Sequence, residues 1–231
     1  MEPKNSSLVN EVLAILNKDL VSEFRTKVAL NAIFLFSLTV LFLVSFVVGP
    51  YKIRTLDQPA ILSAWLWIIV FFSGMSGLDR VFVKEEETST APGLQLAARS
   101  SAVFLGKFLF NLCLMGMMGA VVTPLYIVLM EFSIASPLYF AAEVFFGILG
   151  MTTGVTLIAA MVAKARMKGA LFSILSFPII IPLLLVAIEG TSKAATGISS
   201  MEFLRSISVI GSFAGAMFVL SLILFEKVWI E

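Results

Sequence analysis

A reactive site needs groups that attack, titrate or hold a metal, and this chain of 231 residues carries few of them. It has no histidine, which removes the commonest general base and the commonest metal ligand together. Its one cysteine, Cys113, can close no internal disulfide, and neither a Ser–His nor a Cys–His pair can form. The Gly106–Lys107 pair lacks the upstream glycine of a phosphate-cradling loop, so any ATP chemistry belongs to another chain. Eleven methionines, Met115, Met117 and Met118 among them, could ligate haem iron, but soft core filler is their commoner use. No catalytic residue and no metal site emerges, and no resident cofactor is expected.

A second set of residues is notable for where it stands. Glu143 lies six residues past Pro137, about 9 Å along a helix, inside an apolar run and without a second carboxylate at i+3 or i+4. Placed in the bilayer it is a functional candidate; placed at the outer interface it is an ordinary surface acid. Gly150-x-x-x-Gly154 and Gly211-x-x-x-Gly215 are small-residue faces that let helices approach, for bundle packing, for a homodimer, or as surfaces that slide. Pro178 and Pro182 each remove a backbone hydrogen bond from one helix, which suits a kink or a gate.

The elements that must position these residues follow from composition. Fifty-nine per cent of the chain is hydrophobic and 13% charged, against roughly 25% charged in soluble domains. That excess cannot be hidden in a soluble fold of this size. A net charge of +1 offers no footprint for nucleic acid. An all-α integral membrane protein is expected, with spans of about 20 residues at about 28–48, 60–78, 108–130, 137–163, 170–188 and 206–225. Alternate loops hold twelve of the sixteen Lys and Arg residues, which predicts cytoplasmic termini by the positive-inside rule.

Two segments stand outside the spans. In residues 1–27, Val9, Val12, Leu13, Leu16, Leu20 and Phe24 recur at helical spacing. They predict an amphipathic helix on the cytoplasmic membrane surface, capped by Ser6 or Ser7, with Glu11, Lys18, Glu23 and Arg25 mainly off its apolar face. The mixed charge of this stretch, and an apolar run too long for one, argue against a cleaved signal peptide. Residues 28–231 are expected to form a single transmembrane domain. The loop between spans two and three carries Asp79, Arg80, Phe82, Glu85, Glu86 and Glu87, then Pro92–Gly93 and a semi-apolar piece, with Lys107 at the membrane boundary where its stem could snorkel. It is either a solvated connector or a coupling segment that fits a groove on a motor subunit.

This loop resembles the signature loop of the cytochrome c maturation protein B family, the haem-exporter-type permease of an ABC transporter. Leu78, Asp79, Arg80 and Phe82 match its leucine-aspartate-arginine-x-phenylalanine run, Glu85 and Glu87 its acids, and Gly106–Lys107 the opening of its third helix. Ser89 and Thr90 replace a usual glycine, and Pro92–Gly93 interrupts the following helical piece. Lys18-Asp19-Leu20 with Glu23 and Arg25 resembles the family's amphipathic lead-in helix, and Phe177 to Pro182 its two-proline motif. The resemblance implies an ABC-2-like permease of the bacterial inner membrane that is not itself an enzyme. It implies a cytoplasmic ABC ATPase that binds the ATP, other cytochrome c maturation membrane proteins, and a haem chaperone released at the expense of ATP. Haem would be cargo of the complex. Two rivals remain at this stage: an ABC-2 permease for a lipid, polysaccharide or drug, and an ATP-independent secondary transporter.

Overall fold

The computed structural model describes residues 7–49, 58–78, 80–163, 168–197 and 199–230, all of them helical or in short connections. Among the described residues there are nine helices: α1 (Leu8–Thr26), α2 (Val28–Val47), α3 (Gln58–Met75), α4 (Arg80–Glu87), α5 (Ala91–Ala97), α6 (Ser100–Leu129), α7 (Pro137–Val162), α8 (Lys168–Thr196) and α9 (Ser200–Ile230). Six runs, starting in α2, α3, α6, α7, α8 and α9, are long and apolar enough to cross a membrane.

Each boundary has a local cause. Ser7 caps α1 by accepting the Asn10 N–H. The chain then turns at Lys27, which takes a left-handed conformation. Glu23, expected off the apolar face, is instead buried and accepts the Leu30 N–H at 2.9 Å, acting as a cap for α2 across the turn. The first half of α6 begins at Ser100, ahead of the expected 108, because Ala102, Val103 and Phe104 are buried against the rest of the bundle. Helices α8 and α9 also outrun their apolar stretches: α8 continues to Thr196 against an expected end at 188, and α9 starts at Ser200 against an expected 206. The added turn of α8 is held by the Glu189–Lys193 pair, one helical turn apart, and by the loop before α7, whose Ala135 and Ser136 N–H groups donate to the Ala195 and Ala194 carbonyls.

The centre of the bundle is α7, buried along most of its length and packed between α6, α8 and α9. Glycine decides how close its neighbours come. A Cβ on Gly147 would overlap the Trp67 ring, one on Gly150 would meet Leu183 at 3.1 Å, and one on Gly154 would meet Ile180 at 2.7 Å. The indole N–H of Trp67 donates to Thr191 on α8, the Tyr126 hydroxyl to the Leu62 carbonyl, and the Asn111 amide to Thr156. Such bonds fix neighbouring helices where no water can substitute. Gly211 and Gly215 contradict the expectation of packing within the bundle. Both are exposed and a Cβ on either would meet nothing within 4 Å, because α9 turns that stripe away from the other helices. Helix α8 continues through Pro178 and Pro182.

Candidate functional site

Gly106 and Lys107 both answer to α1, the helix farthest from them in the chain order. A Cβ on Gly106 would meet Ile15 Cβ at 2.8 Å and the Val12 carbonyl oxygen at 3.2 Å, so glycine is what lets α1 approach α6 this closely. The next residue, Lys107, is 1% exposed. Its Nζ lies 3.1 Å from Asp19 Oδ2 on α1 and 3.0 Å from Glu85 Oε1 on α4, and it donates to the Val81 carbonyl at 2.8 Å. Lys18 brings a second ammonium to Glu85, and the Thr90 hydroxyl donates to the other Glu85 oxygen. Two ammonium groups and two carboxylates thus join three helices at one point.

The electrostatics are internally balanced. Burial works to raise the Glu85 carboxyl, but the Lys107 charge and the hydrogen bonds from Lys18, Thr90 and Lys107 outweigh it and hold the group at about 2. For Lys18, burial works downward, while the Glu85 hydrogen bond and the neighbouring carboxylates raise it above its ordinary value. The Lys107 ammonium also stands 5.5 Å from the centre of the Phe82 ring. Phe82 in turn meets Phe225 and Trp229, which ties α4 to the end of α9. The Gln95 amide of α5 donates to the Trp229 carbonyl.

The structure corrects the sequence reading of this segment in two places. Lys107 does not snorkel, because buried carboxylates on two other helices satisfy its charge in place. Glu85 and Phe82 do not face outward; both point into the fold. Of the remaining coupling candidates, Glu86 is half-buried, Arg80 and Glu87 are exposed, and Asp79 lies outside the described residues. Lys18, Asp19, Thr90 and Lys107 complete the cluster. Lys18-Asp19 and Gly106–Lys107 are separate motifs along the chain, and no spacing rule connects residues 88 positions apart.

Beside the cluster, α1, α4 and α5 enclose a crevice of about 660 Å³, lined by Lys18, Ser22, Lys84, Thr88, Gly93 and Leu94 among others. Lys84 spans it by donating to the Ser22 hydroxyl.

Glu143 is at the opposite end of the bundle. It is fully buried on α7, so it is not an ordinary surface acid, and it faces Gly190 of α8 and Ser206 of α9. Neither carboxylate oxygen, nor the Ser206 hydroxyl, has a hydrogen-bond partner among the described residues. Gly190 and Ser206 form part of the wall of a crevice of about 350 Å³ between α8 and α9, whose rim carries Glu189, Lys193, Glu202 and Arg205. Met115, Met118 and Met151 are fully buried in apolar contacts.

A family model described as CcmB protein matches residues 10–225, nearly the whole chain. The match includes both halves of the charge cluster and Glu143. No curated protein matches the chain.

Proposed function

The chain belongs to the CcmB family, a membrane subunit of a cytochrome c maturation ABC transporter, and from that premise we propose that it is the permease through which a separate cytoplasmic ATPase drives haem handling. The observation that carries this reading is the Lys107 junction. A push on α4 and α5 reaches α1 through Glu85 and Asp19, and reaches α6, a transmembrane helix, through Lys107 itself. Phe82 carries the same displacement to α9. The segment therefore has stiff connections to two spans and to the surface helix, which is what a coupling element requires. Both termini and the α4–α5 segment face the cytoplasm of the bacterial inner membrane in this reading.

ATP hydrolysis belongs to the partner in this reading, since this chain brings no phosphate-cradling glycine loop. Haem enters as cargo of the complex, and the axial ligands come from other maturation proteins or the chaperone. Met115, Met118 and Met151 are committed to the core. A homodimer is compatible with the reading.

The test is purification of the full chain in mild detergent from cells that make c-type cytochromes. An ATP-hydrolysing subunit and maturation proteins should co-purify, and removal of the chain should abolish cytochrome c maturation. Co-purification of the ATPase without maturation proteins would point to another cargo. Transport by the chain alone in liposomes, driven only by an ion gradient, would sink the ABC assignment.

A further inference from the structure

The crevice between α1, α4 and α5 has a charge sign that the sequence does not announce. Its carboxylates are already committed. The Asp19 and Glu85 side chains are only 11% and 7% exposed, and both are bound to ammonium groups of this same chain. What remains accessible is positive: Lys84 is exposed, and the Lys18 side chain keeps 47% of its surface. Ser22, Thr88 and Ser89 also line the crevice. Glu86 and Glu87 follow Lys84 on α4 but are not part of the crevice wall. On α5, outside the spanning helices, Leu96 is 92% exposed beside the crevice residues Leu94 and Ala97. An isolated lysine or leucine on a surface means little, but here two lysines frame a cavity next to an apolar side chain on a helix positioned as a coupling element.

We infer that the surface offered to the ATPase is this basic crevice with Leu96 at its edge, so that the partner presents carboxylates to Lys18 and Lys84 and an apolar hollow to Leu96. The inference rests on the proposed ATPase partnership and adds the chemistry of the contact. It reverses the sequence expectation, in which the acidic run met the motor. The physical reason is that Asp19 and Glu85 are nearly buried and bound to Lys107 and Lys18, so they have little field left to offer a partner, whereas the exposed Lys84 donates to a neutral hydroxyl and keeps its charge. Opposite charge at the rim speeds encounter and fixes register, and the apolar contact supplies desolvation energy.

The experiment is binding of the purified ATPase subunit to the full chain in nanodiscs, at low and raised salt. Lys84→Glu should weaken binding at least tenfold and flatten its salt dependence, and Leu96→Ser should weaken it several-fold. Glu87→Lys should leave affinity unchanged or improve it. All three positions are exposed, and the wild-type circular dichroism and thermal transition serve as the folding control. Wild-type binding that Lys84→Glu leaves intact, or that Glu87→Lys weakens instead, would overturn the inference while leaving the ATPase reading standing. Absence of wild-type binding would overturn both. A third outcome also counts against it: Lys84→Glu lowers retention of phosphatidylglycerol in the nanodisc without touching ATPase affinity, which makes the crevice a lipid site.

Discussion

Lys107 and Glu143 are equally buried, and the fold treats them in opposite ways. Lys107 has two carboxylates, a backbone carbonyl and an aromatic ring around its ammonium group, drawn from α1 and α4. Glu143 has a glycine, a serine hydroxyl and no hydrogen bond among the described residues. A buried charge is tolerable when opposite charge and hydrogen bonds replace its lost hydration, and very costly otherwise. So the first group works as a permanent structural joint. The second is an acid packed against a glycine and a serine with no opposite charge beside it among the described residues. The α1–α4–α6 end is cross-linked by charge; the α7–α8–α9 end holds a buried acid without such links among the described residues.

The sharpest way to break this contrast is to remove the joint. Lys107→Met keeps the length of the side chain but leaves Glu85 and Asp19 buried with only Lys18 between them. It should cost about 3–5 kcal/mol, the range for breaking a buried pair from one side. Thermal unfolding in detergent checks this, and a change of under 1 kcal/mol would mean that water replaces the ammonium group.

Acid acts on the same joint more gradually. The Glu85 carboxyl is held at about 2 in the fold against an ordinary 4.5. Its folded value is depressed, so its contribution is complete above about 4.5 and is lost as pH falls through the range from 4.5 to about 2. Protection of the α1 amides against hydrogen exchange, taken relative to the intrinsic rate at each pH, should hold down to about pH 4.5 and fall below it. Glu85→Gln should abolish that acid-dependent step.

Gly106→Val presses a side chain into Ile15 and the Val12 carbonyl and should lift α1, at about 1–3 kcal/mol. The matching Gly211→Val meets open space and should stay within about 0.5 kcal/mol in the isolated chain. Equal effects of the two substitutions would show that α1 is not docked as described.

The smallest stability effect is expected at the other pole of the comparison. Glu143→Gln keeps shape and removes an acid that has no oppositely charged partner among the described residues, so thermal stability at neutral pH should change by less than about 1 kcal/mol. Cytochrome c maturation should nonetheless fall. A loss of stability as large as that of Lys107→Met would reveal a buried cation partner and erase the contrast.

Particular residues show how much was legible in advance. The six apolar stretches and the existence of helix α1 followed from hydrophobic length and spacing, because these are local properties that the bilayer or the bundle reads directly. The family motifs were visible as short strings, and the family match spans them. Their physical meaning was not. Glu85 read as an exposed acid because its neighbours are Glu86 and Glu87, yet its partners are Lys18 and Lys107, 67 and 22 positions away. Gly211-x-x-x-Gly215 and Gly150-x-x-x-Gly154 are the same pattern, but one faces outward and the other faces α8.

The amino-acid sequence by itself determined the solvent and the number of spans. These depend on composition and on spacing within single helices. Only the tertiary structure decided which charges cancel, which small residues are covered, and which acid is left alone. Those outcomes depend on how helices distant in sequence rotate about their axes when they meet, and local spacing does not encode that rotation.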